Sequence, residues 1–173
     1  MKKYFSLMVA VLLGLTTAAT LTACGDDDDA EAKVAAYAEV EYSVVLSDDI
    51  VKYYDIDVEY VGLKEKAMTE QVTSKTWSNK RGSSDKLPVT FGYKFNFSAK
   101  GELPAKINLS YKPNVTVKVF NKDGKQLRSK KLTLKPIDST GLDTSVYDPN
   151  ETLKAVTFSY TVPADGTLKD VEE

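Results

Sequence analysis

The chain has 173 residues, 42% of them hydrophobic and 28% charged, with a formal net charge of −2. It contains no histidine and a single cysteine, Cys24. These counts exclude an internal disulfide framework, His/Cys metal sites, a Ser-His-Asp triad and a Cys-His nucleophile, leaving carboxylate pairs, tyrosine or lysine for any catalysis. Setting aside Lys2, Lys3 and the four aspartates 26–29 leaves 21 residues of each sign. The remainder is neutral, and no basic excess argues for nucleic acid.

In chain order, Lys2 and Lys3 precede residues 5–15, which are apolar apart from Ser6 and Gly14. A softer Thr/Ala stretch then leads to Leu21-Thr22-Ala23-Cys24. This is the layout of a secretory signal with small residues before its cleavage point. The strongly apolar core of 11 residues falls short of the roughly 20 needed to cross a bilayer. Leu21-Thr22-Ala23-Cys24 resembles the bacterial lipobox, in which the cysteine thiol takes a diacylglycerol and cleavage makes Cys24 the first residue. The resemblance implies a membrane partner reached through lipidated Cys24. At about 0.8 kcal/mol per buried CH₂, several acyl chains anchor a protein without a transmembrane helix.

Asp26, Asp27, Asp28 and Asp29 follow at once. Four like charges repel one another, stay solvated and read as an extended spacer. An acidic run directly after the cysteine also resembles the surface-export signal of Bacteroidetes lipoproteins. That resemblance implies an outer-membrane lipoprotein displayed at the cell surface, with the periplasmic face as the alternative. The expected organisation is a signal peptide over 1–23, a lipidated acidic tether over 24–36 and one domain over 37–173. A domain of about 137 residues buries about two-thirds of its surface around one core.

The domain alternates with period two. Val40, Tyr42, Val44 and Leu46 predict one strand, and Ile56, Val58 and Tyr60 a second. Residues 47–54 between them, with Ser47 or Asp48 as cap, predict a single helical turn. Residues 64–86 are less clear: Val72 and Trp77 lie in a polar, strand-like stretch that runs into a loop over 79–85. Leu87, Val89, Phe91, Tyr93, Phe95 and Phe97 then alternate with mostly polar residues, a half-buried strand. Ile107, Leu109 and Tyr111 form another set, and Val115, Val117 and Val119 the next. Asn121-Lys122-Asp123-Gly124 suits a hairpin turn pairing 115–120 with 125–135. Within 125–135 the apolar phase slips between Leu127 and Leu132/Leu134, which predicts a bulge in that strand. A second long loop is expected over 136–150, before a last strand at Val156, Phe158, Tyr160 and Val162 and a Pro163-Ala164-Asp165-Gly166 turn. Seven or eight such strands, apolar on one face, predict an all-β fold: a two-sheet antiparallel β-sandwich, immunoglobulin-like in architecture.

Candidate sites are few. Asp55, Asp57 and Glu59 share a strand face and could in principle hold calcium or serve hydrolysis, but they read first as a solvated outer face. Asn121-Lys122-Asp123-Gly124 lacks the further ligands of a calcium loop. No catalytic residue, metal ligand or cofactor is assigned. Of the aromatic residues out of core phase, Trp77 beside a polar loop and Tyr147 inside one are the candidate ligand platforms, with core packing the competing reading for Trp77. Asp138-Ser139-Thr140 resembles the acceptor motif of Bacteroides-type protein O-glycosylation and makes Ser139 a candidate acceptor. The whole layout, with one β-rich domain opening on "LSDDIVKYYDIDVEY", resembles the small lipoproteins of gut Bacteroidetes. The expected function is a noncatalytic binding module for a glycan or an envelope protein. A structural envelope protein and a carboxylate-based hydrolase are the alternatives.

Overall fold

The computed structural model describes residues 33–61, 69–83, 86–154 and 156–171. The signal segment, Cys24 and the aspartates 26–29 lie outside the described residues. Two antiparallel sheets pack face to face around one core, as the alternation predicts. The first sheet contains β1 (Tyr37–Leu46), β4 (Thr76–Gly82), β6 (Lys106–Phe120), β7 (Gln126–Leu132) and β8 (Ile137–Asp143). The second contains β2 (Tyr54–Val61), β3 (Thr69–Gln71), β5 (Val89–Ala99) and β9 (Thr157–Val162). The strand orders are β4-β1-β6-β7, with β8 also on β6, and β3-β2-β5-β9. Among the described residues there are also two short helices, α1 (Asp48–Tyr53) and α2 (Pro149–Leu153).

Inward residues follow the pleat. Val40, Tyr42, Val44 and Leu46 of β1 are buried, as are Ile56, Val58 and Tyr60 of β2 and Phe158, Tyr160 and Val162 of β9. The two sets expected around Tyr111 and Val115 form one strand, β6, because Pro113 does not break the alternation. The outer edge of β6 is shared: β8 pairs with 106–111 and β7 with 115–120. Pro113 falls in the gap between these partners, where its missing N–H costs no ladder bond. The expected bulge is present, since Val119 faces Arg128 while Phe120 faces Gln126, leaving Leu127 extra.

Two expected loops are strands. Residues 79–82 belong to β4, whose inward positions are Trp77, Asn79 and Arg81. The two polar ones reach the other sheet: Asn79 donates to Glu70 at 3.1 Å, and Arg81 lies 3.5 Å over the Tyr60 ring. Residues 137–143 form β8, interrupted by a bulge at which Thr140 and Gly141 oppose Asn108. Gly141 sits at φ 65°, which glycine adopts without strain, and donates its N–H to Asn108 Oδ1 at 2.8 Å. The folded part also begins earlier than the expected tether boundary. Ala36 donates to the Phe120 carbonyl at 2.8 Å, and Ala35 packs against the core.

α1 is capped by Ser47, whose Oγ accepts from Ile50 N at 3.4 Å. The same hydroxyl donates to the Asn108 carbonyl at 2.7 Å and accepts from Ser110 N at 3.2 Å, tying the cap to β6. Ser47→Ala is expected to lower stability by about 1–2 kcal/mol, measured by urea unfolding. A loss below about 0.3 kcal/mol would show that the cap and its β6 bonds are replaced by water.

Candidate functional site

The strands run between two ends, and the chain enters at one of them. Ala36 meets Phe120 at the carboxyl end of β6, whereas Asp143 pairs with Lys106 at its amino end. The 14 steps along β6, at about 3.3 Å each, separate these ends by roughly 45 Å. At the far end β1, β5 and β8 run out, and the chain crosses between sheets through α1, residues 100–105 and residues 144–148.

Residues 144–148 form a hydrogen-bonded platform. Thr144 donates its N–H to the Ala105 carbonyl at 3.1 Å and its hydroxyl to the Pro104 carbonyl at 2.9 Å. Asp143 Oδ1 accepts from Ser145 N at 3.0 Å and Ser145 Oγ at 2.7 Å. These hydroxyl and amide bonds hold the Asp143 carboxyl below its usual range. The Asp143 carbonyl accepts from Val146 N at 3.2 Å and Tyr147 N at 3.0 Å. Asp148 then caps α2 by accepting from Asn150 N at 2.8 Å, with Pro149 at the first helical position. With its backbone held this way, the loop turns Val146 and Tyr147 outward, 68% and 60% exposed.

Beside them lies an open cleft of about 560 Å³, lined by Glu102, Leu103, Ser145, Tyr147, Asp148 and Pro149, among others. Its surface combines an aromatic ring, two carboxylates and the hydroxyls of Thr144 and Ser145. The nearby Tyr54 hydroxyl is buried with no hydrogen-bond partner among the described residues. Burial, and secondarily the charge of Asp148, push its pKa up, so it stays a neutral donor.

Of the sequence candidates, Tyr147 alone lies at this platform. Trp77 is a correction: it is 5% exposed and faces inward on β4. Its indole packs among Tyr42, Tyr60, Tyr93 and Phe95, with ring centroids 5.3–6.2 Å away. The polar residues around it in sequence are the other faces of an edge strand, so it offers no ring to a ligand. Ser139 lies half-buried within β8, paired with Leu109, rather than in a loop. Asp55, Asp57 and Glu59 occupy the outer face of β2, where Glu59 accepts from Asn96 at 2.9 Å and Asp55 lies 3.9 Å from Lys100. Among the described residues no cluster of three or more acidic or sulfur ligands could hold a metal, and no helix is long and apolar enough to cross a membrane.

Val146 and Glu102 escaped sequence reasoning, because nothing in the pattern separates an exposed loop valine from a core one. The one available signal was their neighbourhood: Val146 sits in a Thr/Ser/Asp/Pro-rich run and Glu102 between Gly101 and Pro104, both marks of turns. No family model, curated protein or solved structure matches this chain.

Proposed function

We propose that this protein is a noncatalytic, lipid-anchored module of a bacterial cell envelope that binds a glycan with the end of its domain farthest from the anchor. The observation that carries the reading is the exposed Val146–Tyr147 platform at the end opposite the chain's entry. Lipidation at Cys24, implied by the lipobox resemblance, ties the entry end to the membrane. The aspartate spacer holds the domain off the surface, and the platform then points outward. A tyrosine ring stacks on the apolar face of a sugar, while Glu102, Ser145 and Asp148 accept or donate hydrogen bonds to its hydroxyls. The cleft is open, as a site for an extended polymer requires. The small lipoproteins of Bacteroidetes that the amino-terminal layout resembles supply the location: the outer membrane, facing the cell exterior.

The test is a polysaccharide pull-down and glycan array with the detergent-solubilised full chain. Wild-type protein retains a specific glycan and leaves it uncleaved. Tyr147→Ala weakens retention at least about tenfold, while its stability stays within about 0.5 kcal/mol of wild type because the ring is exposed. Binding that survives Tyr147→Ala unchanged would remove the platform from the site. The exposed side chain of Val146 favours one second reading, an envelope protein partner. Crosslinking on intact cells from position 147, with no glycan retained, would select it.

A further inference from the structure

A second site lies on the side of the sandwich, away from the platform. Residues 163–171 run from β9 across to β7 and close the upper part of this side. Arg128 donates to the carbonyls of Asp165 and Gly166 at 3.1 and 3.3 Å, Lys130 pairs with Asp170 at 2.9 Å, and the Tyr160 hydroxyl bridges the Lys169 backbone. Below this strap, where β7 gives way to β8 across Pro113, the wall opens into a slot of about 290 Å³ between the sheets. Pro113, Leu134, Pro136, Ile137 and Val156 make its apolar walls, and exposed Lys135 lies at its mouth.

The slot also meets Tyr93 and Tyr111, buried side chains from opposite sheets whose hydroxyls are 2.8 Å apart. Burial pushes the Tyr93 pKa up to about 12 and raises that of Tyr111 as well, so both keep their protons. One hydroxyl donates to the other. The second proton has no acceptor among the described residues, and a buried donor left unpaired is costly.

We infer that this slot binds a small, neutral, largely apolar molecule whose carbonyl or ether oxygen accepts the unspent proton of the Tyr93–Tyr111 pair. At the packing density of protein interiors the volume takes about ten non-hydrogen atoms. A charged group is excluded from the inner end, because nothing there would offset its lost hydration.

The experiment uses the full chain in phospholipid nanodiscs with labelled Leu, Ile and Val methyls. It is titrated with acetophenone and separately with ethylbenzene, which has a similar shape and no carbonyl. Acetophenone should give saturable shifts at Leu134, Ile137 and Val156. Replacing both tyrosines, Tyr93→Phe together with Tyr111→Phe, removes both protons of the pair and should weaken acetophenone about three- to tenfold, the range of one neutral hydrogen bond, and leave ethylbenzene unchanged. Each probe is compared between proteins in the same discs, so partition into lipid cancels. The carbonyl stretch of acetophenone bound to wild-type protein needs no variant and should fall to a hydrogen-bonded frequency as the methyl shifts saturate. The inference is overturned by the absence of saturable shifts at these methyls, by equal effects of the double substitution on both probes, or by an unshifted carbonyl band.

Discussion

Trp77→Ala is expected to lower the unfolding free energy by about 3–5 kcal/mol, the range for removing a large buried aromatic. The side chain is 5% exposed and touches rings from both sheets: Tyr42 from β1, and Tyr60, Tyr93 and Phe95 from β2 and β5. The Phe95 and Tyr93 contacts are edge-on, at 5.3 and 6.2 Å, an arrangement that adds to simple burial. Its loss leaves a cavity that these rings cannot collapse into, because each is held by neighbours of its own. Trp77→Phe keeps part of the volume and should cost about half as much. Urea unfolding followed by circular dichroism measures both, since Trp77 is the only tryptophan and its fluorescence is lost with it. A loss below about 1 kcal/mol would mean that the indole is not part of the core.

Gly166→Ala should destabilise by about 2–4 kcal/mol, combining left-handed backbone strain with overpacking. Gly166 closes the turn after β9 at φ 68°, donating to the Pro163 carbonyl at 2.9 Å. A Cβ there would lie 2.5 Å from the Ala35 Cβ, 2.9 Å from Val119 Cγ1 and 3.1 Å from Arg128 Nη1. Neither of the first two can swing aside, since one is a short side chain and the other is fully buried near the carboxyl end of β6. Gly124→Ala separates the two effects. It has φ 80° but no neighbour nearer than Tyr37 Oη at 3.7 Å, so it should cost only the backbone part, about 1–2 kcal/mol. Thermal unfolding of the two variants should differ by several degrees, about 3–4 °C per kcal/mol for a domain of this size. Equal melting temperatures would show that Ala35 does not pack where it is placed.

The same Ala35 contact bears on what could be read in advance. Residues 24–36 look like tether because composition changes only at Tyr37, yet two small alanines fit against Gly166 and β6 without any hydrophobic signature. β1, β2, β5, β6 and β9 were legible because every second residue is large and apolar. β4 was not, since two of its three inward positions are Asn79 and Arg81, which reach across the sandwich to Glu70 and the Tyr60 ring. β8 was hidden by its own bulge: Gly141 shifts the alternation by one residue, so Asp138-Ser139-Thr140-Gly141 reads as a turn. For the sites, Tyr147 stood out because it is out of phase in turn-rich sequence. The lateral slot had no sequence signal, because it depends on which strands share the edge of β6, and alternation carries no strand order.

That order has a consequence for how the chain folds. β1 pairs with the end of β6, Tyr37 opposite Phe120, and β5 with the last strand, Val89 opposite Val162. Neither sheet can be completed by neighbouring segments, and such non-local pairing folds in milliseconds to seconds rather than microseconds. A polypeptide that emerges amino terminus first presents β1 long before its partner in β6 is available. The two sheets cannot lock until β9 has arrived, so the topology itself delays closure of the core.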